Sequence, residues 1–473
     1  MRDFTVLVFM AADNDLGRDS FAARDIHEME KYGSDDRVAI AIQVDRYGGG
    51  TNGTALRGQI IQNPNWQKRP IENVSTLVDI GETDTGHPDV LKDFIVWGAT
   101  EFPAKHTILV IWAHGTGWRA EVINDAVGKS AGAEAELAAR SVQFGEMYRK
   151  NTAGLVFRRS VESLVDGFIR NRLLPNYGNR LTSGVSVWPR FVSPPAAAEL
   201  STVMDTLKLN QRQLKDIFAR AVAADSTDLS ALDSIELKRA LVDARNALRA
   251  GPAPDFDYSL IGFDACLMGS LEALYQLKDI VSVIVASEEE EPRTGWRYDL
   301  VLERLRTDPQ DLETLGAGFV DDYVTAQDAY FLRLITQSAV RGESLEGVAD
   351  MLHRVGEVLE PLLNTHTRLL QAAEKTATRF RGDKDFLDIG HFLTKLEDGL
   401  HGHPALGEIT AARAKLDEAV ISSRFAFPSE REEPTGLSIY FPAIARYDPV
   451  YDALDISSHL KGWVDFIKAY HFL

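Results

Sequence analysis

A chain of 473 residues with 45% hydrophobic and 26% charged residues can bury a large core, and its length permits two or three ordinary domains. Its formal net charge of −19 argues against a general binder of nucleic acid or of an anionic membrane. No apolar run reaches the roughly 18 residues that a membrane-spanning helix needs, and Met1-Arg2-Asp3-Phe4 runs into a strand pattern without a cleavage-site pattern. The expected compartment is therefore the cytoplasm, unless an export segment has been removed.

Apolar strand patterns at 4–11, 38–45, 107–113, 258–265 and 280–286 alternate with helical patterns at about 18–32, 89–100 and 268–278. That alternation predicts an α/β fold with a doubly wound, mainly parallel sheet flanked by helices. Between 55 and 80, Gly, Asn and Pro punctuate short runs and suggest a β-hairpin excursion. Beyond Pro292 the pattern turns helical at 298–306, 311–328, 344–377 and 405–420. Strand patterns at Phe331–Thr336 and Leu437–Phe441 interrupt it and are expected to add to the sheet. The resulting division is a core of 1–118 and 221–300, an insertion at 119–220, and a helix-rich region at 301–473 packed on the core.

Cys266 is the only cysteine, so it serves packing or chemistry rather than an intramolecular disulfide. It sits where the run Ile261-Gly-Phe-Asp-Ala meets a small-residue turn. A second run, Thr107–Ala113, ends in His114-Gly115, with Gly117 and Trp118 behind. Catalytic groups of open α/β sheets collect at the carboxyl ends of strands, and a cysteine with a sequence-distant histidine is a nucleophile and base pairing. The bland alternative is a small core cysteine and a structural histidine. A competing site is the acid set Asp13, Asp15 and Asp45, whose position after two strands could hold Mg²⁺ for phosphoryl hydrolysis. Turn and helix-capping roles also suit these residues, and no phosphate-cradling glycine loop accompanies them.

His114-Gly115-Thr-Gly117-Trp118 and Phe263-Asp264-Ala265-Cys266-Leu267-Met268-Gly269 resemble the two catalytic motifs of the clostripain-like cysteine peptidases, relatives of caspases, gingipains and legumain. Thr5–Asp15, Gln43-Val-Asp-Arg46, Ser287-Glu-Glu289, Gly295-Trp296 and Gly436–Pro442 are similar to further landmarks of that family. Nearly the whole chain is covered apart from about 120 to 220. The resemblance implies a caspase-like fold and a Cys266–His114 dyad acting through a thioester on protein or peptide substrates, with no cofactor. Gly115 and the Cys266 amide would hold the oxyanion. Calcium, needed by some relatives, stays open, since no Asp-x-Asp-x-Asp-Gly loop is present. A pseudo-peptidase that only binds is the remaining alternative; retention of both residues speaks against it.

Asp264 lies two residues before Cys266, on the same side of an extended strand. Family members with Asp-Ala-Cys cleave after Arg or Lys, which places Asp264 at the base of the pocket for the residue preceding the scissile bond. The other reading is a cap on the following helix. The acid run Glu288–Glu291 reads as a solvated loop that adds negative potential at most. From Arg140 to Arg190, nine basic residues face three acidic ones, a local charge of +6 in an acidic chain. The expectation is an activation segment cut at Arg149-Lys150 or Arg158-Arg159, by the enzyme itself or by an activating protease.

Overall fold

The computed structural model describes residues 1–47, 54–66, 73–115, 117–118, 232, 234–307, 311–327, 334–380, 383–426, 432–442, 447, 451–452 and 454–471. The strands are β1 (Arg2–Ala12), β2 (Val38–Arg46), β3 (Ala55–Gln59), β4 (Val78–Gly81), β5 (Ala104–Trp112), β6 (Tyr258–Asp264), β7 (Val281–Ala286), β8 (Ile335–Arg341), β9 (Phe386–Asp388), β10 (Val420–Ala426) and β11 (Ser438–Tyr440). Nine of them form one sheet in the order β10-β8-β7-β6-β5-β1-β2-β3-β4. The central five, β7-β6-β5-β1-β2, run parallel, and antiparallel strands extend both ends.

Burial on both faces explains why the central strands read as nearly unbroken apolar runs. In β1, Leu7, Phe9 and Ala11 enter one core layer while Val6, Val8 and Met10 enter the other, the period-2 alternation of a strand. Leu91, Phe94 and Ile95 of the Pro88–Glu101 helix and Leu237 and Leu241 of the Ser234–Arg249 helix cover the first face. Ile26 and Met29 of the Phe21–Glu30 helix, with Val301, Leu302 and Phe319 from the Tyr298–Thr307 and Leu312–Gln327 helices, cover the second. The outcome is the expected helix–sheet–helix sandwich with a helix-rich C-terminal half. No described helix is long and apolar enough to cross a membrane.

The chain runs outward from β1 to β2, then returns so that β5 pairs with the other edge of β1. That reversal creates a topological switch point, the usual location for a site at strand carboxyl ends. The insertion at 119–220 lies outside the described residues, but its flanks are placed. Trp118 is buried against the rings of Tyr440 and Tyr451, and its carbonyl accepts from Ser234 Oγ at 3.4 Å.

Two sequence expectations need correction. The run at 331–336 enters the sheet as β8, but from Ile335 to Arg341; residues 331–333 lie outside the described set. The run at 437–441 does not join the large sheet: β11 pairs antiparallel with β9 in a separate two-stranded sheet. The Ser438 amide is drawn to the Gly269 carbonyl at 3.0 Å, which fixes the strand beside the turn after Cys266.

Candidate active site

Parallel pairing of β5 with β6 matches Trp112 to Asp264, and the Ala113 N–H donates to the Asp264 carbonyl at 3.2 Å. His114 and Cys266 therefore each leave the sheet two residues beyond its last matched pair, at the same edge and on neighbouring strands. Both are half-buried. Gly115 lies directly on the Cys266 backbone: a Cβ there would stand 2.2 Å from the Cys266 carbonyl oxygen. Only glycine permits that approach. Gly117 adopts φ +75° and packs on Phe386 and the Leu267 carbonyl, so the turn after His114 is built around the turn after Cys266.

Leu267 has φ +61°, a left-handed conformation that costs a non-glycine residue about 1–3 kcal/mol. It is held there from both sides. Its N–H donates to the Glu289 carbonyl at 3.2 Å, and the Gly269 N–H donates to the Ser287 carbonyl at 2.6 Å. The loop after β7 thus clamps the turn that presents the thiol. That clamp reaches the sulfur, because the Glu291 N–H donates to Cys266 Sγ at 3.2 Å. A donor aimed at sulfur favours the thiolate, the reactive form.

Glu291 also meets Asp264. The Asp264 carboxyl is buried, accepting from the Trp296 N–H at 3.1 Å and the Tyr298 hydroxyl at 2.9 Å. Burial pushes Asp264 up to about 6 despite the donors around it. Burial, then the Asp264 charge, raise Glu291 well above the ordinary carboxylate range, and its hydrogen bond lowers Asp264 while Asp264 raises it. Two carboxyl groups in contact cannot both ionise, so Glu291 keeps a proton and donates it to a charged Asp264. A third acid stands close by: Asp25 accepts from Trp112 Nε1 at 2.7 Å and is raised by burial and by the Asp264 charge. The result is a desolvated cluster of three carboxyl groups, charged at Asp264, beside the Cys266 turn.

The solvated-loop expectation for Glu288–Glu291 is therefore overturned. Glu288 and Glu289 are buried, and Thr336 Oγ1 accepts from both of their amides at 3.0 and 3.1 Å. Strand β8 supplies those partners, which is why the local sequence gave no sign of burial. Asp264 does not cap the next helix either: Ser270 does, its hydroxyl accepting from Ala273 N–H. Sequence reasoning missed Asp25, Tyr298 and the role of Glu291 at the site. The only available signal was the placement of Glu291 after a strand end, in a run of acids closed by Pro292.

Asp13 and Asp45 lie buried at the ends of adjacent strands, with Thr85 donating to Asp45 Oδ2 at 3.4 Å. Asp15 opens a short helical turn, Asp15–Arg18. Among the described residues no group of three His, Cys, Asp or Glu is arranged to hold a metal ion. Arg149, Lys150, Arg158 and Arg159 fall outside the described residues.

The chain matches the model of the clostripain family over residues 8–132 and 210–401. A secreted C11 cysteine protease from Bacteroides thetaiotaomicron, solved with an irreversible peptide inhibitor, aligns at 15% identity with a TM-score of 0.57, covering 98% of this chain and 99% of that one. An inactive zymogen C11 protease from Parabacteroides distasonis aligns at 15% identity with a TM-score of 0.55, covering 97% and 98%. At such identity the likeness speaks for the fold. No curated protein matches the chain in sequence.

Proposed function

Because the chain belongs to the clostripain family of cysteine peptidases, we propose that it is an endopeptidase that cleaves after Arg or Lys through Cys266 and His114. The Cys266 thiolate attacks the scissile carbonyl carbon, and the Gly115 and Cys266 amides receive the oxyanion. Collapse breaks the C–N bond as His114 gives its proton to the leaving amine. His114 then takes a proton from water, which attacks the thioester and restores the thiolate. This cycle calls for no cofactor. Its lone thiol must stay reduced, which suits the cytoplasm; the similar Bacteroides protein is described as secreted, so cell fractionation is the check on compartment.

The observation that carries the basic preference is Glu291, whose amide touches Cys266 Sγ while its side chain shares a proton with buried Asp264. A desolvated carboxylate next to the nucleophile selects a guanidinium or ammonium and rejects an acidic side chain. Fluorogenic peptides that differ only in Arg, Lys, Asp or Leu before the scissile bond test the reading. Turnover of the Arg and Lys peptides far above that of the other two is expected, and preferential cleavage of the Leu or Asp peptide would overturn it.

Activation belongs to the same proposal. A pocket that takes basic side chains is complementary to the +6 segment between Arg140 and Arg190, which as a tethered pseudosubstrate would block the site until cut. Intact-mass analysis of wild-type and Cys266→Ala protein separates self-cleavage from an activating protease. Full activity without a lag in an uncut chain carrying Ala at 149, 150, 158 and 159 would refute it.

A further inference from the structure

A second pair of buried acids stands on the far side of the clamp, and the reaction described above does not use it. Glu288, on the loop that holds the Cys266 turn, is in hydrogen-bonding contact with Asp388, at the end of β9. Both are fully buried. Glu288 Oε2 accepts from the Gly436 N–H at 3.0 Å, but its Oε1 has no donor among the described residues unless a proton lies between the two carboxyls. Asp388 already accepts three donors: the His391 N–H at 2.7 Å, which caps the Ile389–Gly399 helix, the Thr435 N–H at 2.6 Å and the Thr435 hydroxyl at 2.8 Å. Asp388 is therefore the charged partner and Glu288 the proton holder.

We propose that Glu288 and Asp388 are positioning residues, a one-proton latch that ties the loop clamping Cys266 to the C-terminal layer. Through Gly436 the latch fixes the chain leading into β11, which itself meets the Cys266 turn at the Gly269 carbonyl. Rising pH removes the shared proton and leaves two buried carboxylates facing each other, with buried Glu289 adjacent. Burial and the Asp388 charge raise Glu288, so this loss falls well above the ordinary carboxylate range. No described lysine or arginine pairs with either group. His391 is lowered on balance: burial, with Lys395 and Arg413, outweighs the Asp388 and Glu433 charges that raise it, its Nδ1 is held by Thr378 Oγ1 at 2.7 Å, and its Nε2 faces Glu433 at 4.0 Å.

The test uses the full-length protein and two readouts from pH 5 to 9: protection factors for amide exchange in peptides covering 287–291 and 435–441, and kcat on the best peptide substrate. Wild type should lose protection and kcat together on the alkaline side. In Glu288→Gln the side-chain amide donates permanently to Asp388 and its oxygen still accepts from Gly436, so the alkaline loss of both should disappear. Glu288→Ala should be unprotected already at pH 5, with kcat down as much as about 10²-fold, the scale of a misplaced reacting group. The conservative rescue by Gln is what a merely structural role would not yield. If Glu288→Gln fails to fold, the wild-type profile decides alone, and protection of 435–441 that does not fall on the alkaline side overturns the latch. Matching wild-type and Gln protection profiles, or full protection in Glu288→Ala at pH 5, would overturn the latch. The inference rests on Cys266 as nucleophile, but the exchange readout needs no turnover, so the two can fail separately.

Discussion

Replacing Asp264 with Asn probes the pocket with the least disturbance of shape. The wild-type carboxyl is buried, receives Trp296 N–H and Tyr298 hydroxyl, and takes the Glu291 proton, so it carries its charge with three donors around it. Asn removes that charge and adds two N–H groups facing donors. An arriving guanidinium then meets no buried anion from Asp264, and truncating one partner of a buried charge pair costs about 2–5 kcal/mol. At about 1.4 kcal/mol per tenfold, kcat/KM on an Arg peptide should fall by about 30-fold to a few thousand-fold. The pH profile adds a second check. Asp264 titrates at about 6, so wild-type kcat/KM on Arg peptides should decline below that pH relative to a Leu peptide, and Asp264→Asn should lack this difference. Paired progress curves on Arg and Leu peptides at pH 5 to 8 measure both. Equal cleavage of the Arg peptide by variant and wild type would refute the placement of the pocket at Asp264.

Cys266→Ala should abolish turnover while leaving the circular dichroism spectrum and melting temperature near those of wild type, because the side chain is small, only half-buried and at the margin of the core. Gly115→Ala should lose activity and about 1–3 kcal/mol of stability in denaturant titration, since its Cβ would meet the Cys266 carbonyl at 2.2 Å. The raised buried acids set the pH dependence of the fold. Glu28 at about 7 and Asp264 at about 6, both raised chiefly by burial, bind protons more tightly folded than unfolded. Their stabilising contribution is full below the unfolded carboxylate range near 4 and is lost as pH rises through 6 to 7. The melting temperature should therefore be higher at pH 5 than at pH 8, and a rise over that interval would count against the burial of these groups.

The strands were legible because β1, β5 and β6 carry apolar residues on both faces, and no loop sequence imitates that. The pairing of His114 with Cys266 was legible only as two strand ends, since strand order is a three-dimensional fact. What misled was Glu288–Glu291: four consecutive acids look solvated, and the burial of Glu288 and Glu289 and of the Glu291 carboxyl depends on partners far along the chain. Gln337 lies 46 residues from Glu291, and Gly436 lies 148 residues from Glu288. Similarly, Leu437–Phe441 looked like another sheet strand because its apolar run carries no information about which edge it joins. The Gly269 carbonyl and β9 decide that.

The Ser234 hydroxyl rests on the Trp118 carbonyl, so the ends of the stretch between them meet at one spot, ahead of the helix that leads back to β6. Closing a loop whose ends already coincide depends only logarithmically on its length, and each doubling costs about 0.6 kcal/mol. β5 and β6 zip together on their own backbone groups, whatever lies between them. The stretch between Trp118 and Ser234, unlike the His114 turn before it and the Ser234–Arg249 helix after it, is thus a place where the gene can lengthen or shorten the protein at little cost in loop closure.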